Sequence, residues 1–235
     1  MMAKYKGYHK KATSDKMMRI VKRERILSFI LGGATLEKVP VEEAEQLLQQ
    51  FASNPQAYEW KTKNLVRFEI CEHAENKDYF DWKIKLIKET GWLRNMRTWQ
   101  EGDFYYASWH DTRKLRIYRK WLYKANKRVL ERVLKYMYSE LFAAVLFMDR
   151  GGLTKEQEIV IDTGFNYGDN AEQLKIWFKD ILNLNAEVRI TPDGHYLKFD
   201  YSQSRKLLEL IEPIIKEIPS MHRKLCEARG ILKTG

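Results

Sequence analysis

The sequence predicts an α+β fold built twice over. Three observations carry that prediction: two short helices that are apolar on nearly every side and stop at a glycine pair, strands with one charged face after each, and outer helices with a single apolar stripe. A helix that is apolar all round must be buried all round. Residues 24–31 before Gly32-Gly33 and residues 141–148 before Gly151-Gly152 are therefore buried, and the two could pack side by side between the halves. The recurrence of the same pieces in the same order marks an internal duplication of about half the chain. It divides the chain into a basic arm (1–23), a first repeat (24–137) and a second repeat (138–235).

The elements follow in order. Lys4, Lys6, Lys10, Lys11, Lys16, Arg19, Lys22 and Arg23 face a single acid, Asp15, so residues 1–23 read as an arm or a lone basic helix. Residues 41–51 carry Ala44, Leu47, Leu48 and Phe51 at helical spacing. Residues 65–70 alternate strictly, which predicts a strand with Val66, Phe68 and Ile70 inward and Arg67 and Glu69 outward. A helix over 76–89, an aromatic strand over 103–109 and a very basic helix over 113–125, with Leu115, Tyr118 and Leu122 as its buried stripe, complete the first repeat. In the second, Ser139 is placed to cap the apolar helix. A strand over 158–163 follows, then a helix through Leu182 announced by Asp169 and Glu172 as a capping box. Residues 186–190 and 196–199 flank Pro192-Asp193-Gly194 and predict a hairpin. The last helix starts near residue 203, and Pro213 predicts a break or kink in it.

Composition narrows the function. Apolar residues at 44% and charged residues at 31% exclude a disordered chain. No apolar run approaches the roughly 18 residues of a membrane helix, and the basic start from Met1 to Lys11 lacks the apolar stretch of a signal peptide. Cys71 and Cys226 cannot build a disulfide framework, so a reducing, intracellular compartment is the default. The five histidines lack metal-ligand spacing, and there is no phosphate-binding glycine loop. Lys and Arg number 42 against 32 Asp and Glu, a net charge of +10. Residues 1–150 hold 30 basic and 19 acidic residues, and residues 151–235 hold 12 and 13. A positive field concentrated in this way favours phosphate-rich partners, nucleic acid above all. Trp82, Trp92, Trp121 and Trp177 fit core packing, as do Tyr105, Tyr106 and Trp109, although these last three could also stack on bases.

The stretch Ile26-Leu27-Ser28-Phe29-Ile30-Leu31-Gly32-Gly33-Ala34-Thr35-Leu36 and its counterpart Ala143-Ala144-Val145-Leu146-Phe147-Met148-Asp149-Arg150-Gly151-Gly152 carry a resemblance. With Arg67-Phe68, His73, Tyr79-Phe80-Asp81-Trp82-Lys83 and the run from Leu210 to Leu225, the chain resembles the LAGLIDADG homing endonuclease family in its single-chain, two-repeat form, over residues 24–226. The resemblance implies two pseudo-symmetric αββαββα-type repeats packed through the central helix pair, with curved antiparallel sheets forming a saddle in the major groove of duplex DNA. Arg67, Glu69, Glu187, Arg189 and Lys198 lie on the polar strand faces and are the base-readout candidates. The alternative is an ordinary solvated sheet face.

In that family the motif helices end in acids that hold a divalent metal, because phosphodiester hydrolysis needs an activated water and a stabilised leaving oxygen. Residue by residue, those positions fall on Gly33 and Arg150, neither of which can hold a metal. Asp149 stands one position earlier, where a helical step of about 100° is expected to aim it away from its twin. Glu37 and Asp162 are nearby acids, while Lys127 or Arg128 and Lys224 resemble the basic residues near the family's active centre. Arg150 suits either a phosphate contact or a cap on the helix C-terminus. The expectation is a non-cleaving, sequence-specific binder of double-stranded DNA, a transcriptional regulator of repressor type, acting as a monomer with internal pseudo-twofold symmetry. The alternatives are an intron RNA-splicing maturase and an active endonuclease using displaced acids such as Asp149 or Glu37. No cofactor is expected, and Mg²⁺ enters only with retained cleavage. The sequence leaves phage, bacterial and organellar origins open.

Overall fold

The computed structural model describes residues 14–49, 55–93, 96–111, 113–124, 127–128, 130–163, 170–192 and 194–228. Helix α1 (Ser14–Gly32) is the first described element, and the boundary expected at residue 23 falls inside it. Its first half contains neither glycine nor proline, and nothing interrupts it before the glycine pair. The first repeat continues through β1 (Thr35–Lys38), α2 (Val41–Leu48), α3 (Pro55–Asn64), β2 (Val66–His73), α4 (Lys77–Thr90), β3 (Arg97–Glu101), β4 (Phe104–Asp111), α5 (Lys114–Leu122), the short hairpin β5 (Tyr123–Lys124) and β6 (Lys127–Arg128), and α6 (Glu131–Leu134). The second contains α7 (Glu140–Arg150), β7 (Gly151–Leu153), β8 (Ile159–Asp162), α8 (Asn170–Leu182), β9 (Glu187–Thr191), β10 (Gly194–Lys198), α9 (Tyr201–Ile215) and α10 (His222–Ala228).

The duplication is explicit in the sheets. Both are four-stranded and antiparallel, one in the order β1-β2-β4-β3 and the other in the order β7-β8-β10-β9. Each motif helix thus runs through its small-residue stop into the first strand of its own sheet. Several elements differ from expectation, among them α3 and the three-residue β7, neither of which the sequence announced. Strands β1 and β3 are polar in sequence (Thr-Leu-Glu-Lys and Arg-Thr-Trp-Gln-Glu) and give no alternation to read. Helix α9 continues past Pro213 to Ile215, because a proline two residues from the end forfeits a single helical bond. Asp169, half of the expected capping box, lies outside the described residues.

The centre is the α1–α7 pair. Ile26, Leu27, Phe29 and Ile30 of α1 are buried, as are all residues of α7 from Phe142 to Met148. They join one core that also takes in Phe68 and Ile70 of β2, Ile84 and Ile87 of α4, Ile161 of β8 and Leu207 and Ile211 of α9. At the start of α7, Ser139 accepts from the Leu141 N–H as its cap. Buried Glu24 of α1 takes three hydrogen bonds there, from the backbone N–H groups of Tyr138 and Ser139 and from the Ser139 hydroxyl, at 2.7–2.8 Å. Among the described residues, no helix is long and apolar enough to cross a membrane.

At the other end the helices approach until no side chain fits. A Cβ on Gly32 would stand 2.2 Å from Asp149 Oδ2 and 2.6 Å from Val145 Cγ1. Gly32→Ala should therefore prise the pair apart and cost about 1–3 kcal/mol by overpacking. Gly152→Ala, whose new carbon meets only Val160 Cγ2 at 3.7 Å, should stay within about 0.5 kcal/mol. Urea unfolding of the two variants beside the parent chain measures both.

Candidate nucleic-acid interface

Register decides which side chains share a face. On the first sheet Arg67 pairs with His110, Glu69 with Ser108 and Cys71 with Tyr106, while Ser108 pairs with Arg97 and Tyr106 with Trp99. These residues lie on the side away from the core, opposite Val66, Phe68 and Ile70. On the second sheet Lys198 pairs with Glu187, and Tyr196 with Arg189 and Asp162, again opposite the buried Leu197 and Ile161. All five sequence-chosen readout residues (Arg67, Glu69, Glu187, Arg189 and Lys198) thus stand on the open faces. Trp109 is buried against Phe68, ring centroids 5.3 Å apart, and Tyr105 packs on Phe80. Tyr106 instead faces outward and stacks on the exposed Trp99, centroids 5.1 Å apart and nearly parallel. Arg97, Trp99 and His110 were missed by sequence reading, the first two because they sit on the unrecognised β3.

Three of the open-face cations, Arg67, Arg189 and Lys198, are already paired. Arg67 reaches Glu43 of α2 at 3.0 Å, Glu69 at 3.9 Å and Glu37 of β1 at 4.0 Å. Arg189 meets Glu187 at 2.8 Å, and Lys198 meets Glu158 at 2.6 Å. Glu37 is therefore engaged by Arg67 and is not aimed at the helix junction. Lys127 and Arg128 form β6, and their side chains lie outside the described residues.

At the junction of α1 and α7 lies an open cleft of about 340 Å³, with Gly33, Glu72, Lys83, Asp149 and Lys224 in its lining. Arg150 donates through Nε to the Gly32 carbonyl, so it caps the C-terminus of the opposite helix. Lys224 does the same for α7, donating to the carbonyls of Met148 at 2.7 Å and Gly151 at 3.2 Å; burial holds its ammonium pKa below the ordinary value. Asp149 does not point away from the first repeat, contrary to expectation. Because Gly32 has no side chain, the carboxylate folds over it, and Oδ2 comes within 3.7 Å of where a Cβ of Gly33 would stand. Asp149 Oδ1 accepts from the Tyr79 hydroxyl at 2.9 Å and from Lys83 Nζ at 2.7 Å. Lys83 also donates to Glu72 at 2.5 Å.

This cluster also escaped sequence reading, although it left a signal. Lys83 occupies a core position in the buried stripe Tyr79, Phe80, Ile84 and Ile87, and Glu72 continues the inward alternation of Val66, Phe68 and Ile70. Burial opposes the Lys83 charge, but Asp149 and Glu72 together outweigh it and raise the pKa above 10.5. Burial raises the Glu72 carboxyl, more than Lys83 lowers it. Burial, with the two nearby carboxylates, lifts the Tyr79 phenol well above its usual range.

A divalent metal of the kind the family resemblance implies does not fit these residues. Gly33 offers no ligand, Arg150 brings a cation, and the Glu72 and Asp149 carboxylates are both held on Lys83. Among the described residues, no group of three or more His, Cys, Asp and Glu side chains is placed to hold an ion.

A family model described as the LAGLIDADG DNA endonuclease family matches residues 53–207. Among solved structures, the homing endonuclease I-WcaI bound to its DNA recognition sequence shares the fold at a TM-score of 0.64 with 17% identity, over 94% of this chain and 91% of that one. A variant of I-DmoI in complex with its target DNA, in the presence of 2 mM Mn, follows at 0.54 and 15%, over 83% and 96%. Comparison with curated proteins returns no match.

The raised Glu72 pKa fixes a pH dependence. The fold favours the protonated carboxyl more than the unfolded chain does, so this residue adds stability as the pH falls through its folded pKa toward the unfolded value near 4.5. Glu72→Gln removes that gain. The stability of the parent chain relative to Glu72→Gln should rise on going from about pH 7 to about pH 4.5 and level off below. Urea midpoints across the range read the trend, and a falling difference would show Glu72 ionised by preference.

Proposed function

We propose, from the premise that the chain belongs to the LAGLIDADG DNA endonuclease family, that it is a non-cleaving, sequence-specific binder of duplex DNA acting as a repressor-type regulator. One observation carries this reading. At the point where both motif helices end, the acid positions hold Gly33 and Arg150, and the nearby carboxylates of Asp149 and Glu72 are bound to an internal ammonium. The open sheet faces keep donors and acceptors suited to base edges, since arginine and lysine favour guanine O6 and N7 and carboxylates accept from cytosine N4. Binding thus needs no metal, and a single chain supplies both half-sites through its two repeats.

The purified chain should shift one duplex in preference to others, with affinity falling steeply as salt rises. Arg67→Ala and Arg189→Ala should each cost about 1–3 kcal/mol on the preferred duplex and little on unrelated DNA. Equal losses on all sequences would mark them as phosphate contacts, and Mg²⁺-dependent breaks in the duplex would overturn the non-cleaving reading.

A second reading, an intron RNA-splicing maturase, is favoured by the outer face of α5. Leu115, Tyr118 and Leu122 fix that helix to the core side of the first sheet, so the exposed Arg113, Arg116 and Lys120 point away from the open strand faces. A polyanion there would not compete with one on the sheets. Replacing all three with alanine should leave duplex DNA affinity within about twofold if the sheets alone bind, because each lost phosphate contact otherwise flattens the salt slope by about one unit. Loss of structured-RNA binding in that variant, with RNA outcompeting DNA on the parent chain, would favour the maturase.

A further inference from the structure

Lys83 is the least expected side chain in the molecule. Its side chain is only 3% exposed, and its ammonium sits 4.1 Å from the Tyr79 ring centre. Burying an ammonium so fully is costly unless anions surround it. Two do, and they come from different repeats: Glu72 from the end of β2 at 2.5 Å, and Asp149 from the last turn of α7 at 2.7 Å. Oxygen anions converging from two elements on one cation form the arrangement by which proteins hold a hard divalent ion, often with only one or two carboxylates and water completing the shell. Asp149 Oδ2 adds an independent sign. It is buried, lines the cleft beside Gly33 and has no hydrogen-bond partner among the described residues, so the site keeps a carboxylate oxygen that the lysine does not use.

We propose that the Lys83 ammonium is a built-in substitute for a divalent cation at the junction of the two repeats, and that removing its charge opens a cation site formed by Glu72 and Asp149. The lysine neutralises both carboxylates and ties the first sheet to the second motif helix, as an ion shared between them would. Because the cation is covalently part of the chain, the junction is indifferent to chelators and to divalent ions. This goes beyond the non-cleaving reading, since it concerns the free protein and holds whatever the chain does to DNA.

The test compares the parent chain, Lys83→Met and the double variant Glu72→Gln/Lys83→Met in EDTA and in millimolar Mn²⁺. Lys83→Met should melt about 10 °C below the parent in EDTA, the cost of a buried pair that loses one partner. Mn²⁺ should restore roughly half of that loss or more, by binding the folded state alone. The parent and the double variant should not respond to the ion. Tb³⁺ luminescence excited through Tyr79 should follow the same order, with only the single variant emitting strongly. A parent chain stabilised by Mn²⁺ as much as Lys83→Met, or a folded Lys83→Met that ignores the ion, would overturn the proposal. If Lys83→Met does not fold in either condition, the parent decides alone. Mn²⁺ should leave the amide resonances of Gly33 and Asp149 sharp, and selective broadening of these signals would defeat the idea.

Discussion

The close approach of two apolar helices at Gly32 governs the rest of the molecule. Along the middle of the motif helices Ser28, buried and donating to Met137 Sδ at 3.8 Å, offers little to direct the packing, so dispersion and burial would leave their relative rotation loosely specified. The ends supply the specification. Glu24 of α1 gathers the backbone N–H groups of Tyr138 and Ser139, just ahead of α7, at one end, and Asp149 of α7 folds over Gly32 of α1 at the other. A buried carboxylate whose donors lie within reach in only one geometry penalises every other register. Two such groups, one contributed by each helix, hold the dyad at both ends. Since each motif helix leads directly into the first strand of its own sheet, the angle between the helices is also what sets the two sheets in relation to each other.

The same contact redirects the chemistry of the junction. With no side chain at Gly32, Asp149 reaches across to the first repeat and meets Tyr79 and Lys83. Arg150, one residue on, is turned to the Gly32 carbonyl, and Lys224 covers the carbonyls that end α7. Both helix C-termini are thus capped by cations from another element, where the helix dipole favours positive charge. The junction of the two motif helices is a set of internal ion pairs and caps. Such a set is well suited to rigidity.

The sequence revealed more of the fold than of the site, for a physical reason. The apolar helices, their glycine stops, strand β2, the β9–β10 hairpin and the Ser139 cap all follow from periodicity or from local hydrogen-bonding chemistry, which depend on near neighbours in the chain. Strands β1 and β3 escaped because sheet pairing, and not their own composition, makes them strands. The open-face residues on recognised strands were found by alternation; Trp99 and Arg97 were not, since their strand was not. Lys83 and Glu72 were visible as charges in core register, yet each makes sense only when the other repeat brings Asp149 beside it. The orientation of Asp149 failed for a related reason. An ideal helical step ignores the space that a glycine on the opposite helix leaves open.

The pairing of the open-face cations bears on how such a surface could discriminate. Arg67 is held among three glutamates, Arg189 by Glu187 and Lys198 by Glu158. A duplex entering this face must either leave those pairs intact, and so gain little from the cations, or separate them. Separation is compensated only where the bases offer an acceptor to the freed arginine and a donor to the freed glutamate, as a guanine and a neighbouring cytosine do together. On any other sequence the glutamates are left facing acceptors or phosphates, and the repulsion counts against binding. On the proposed reading, the acids on the strands would weaken contact with random DNA more than with a matching site. A surface with the same arginines and no acids would bind more tightly and choose less. If the chain binds duplex DNA as proposed, the excess positive charge of residues 1–150 would offset part of that lost affinity without touching the reading face, since long-range attraction of the backbone carries no base preference.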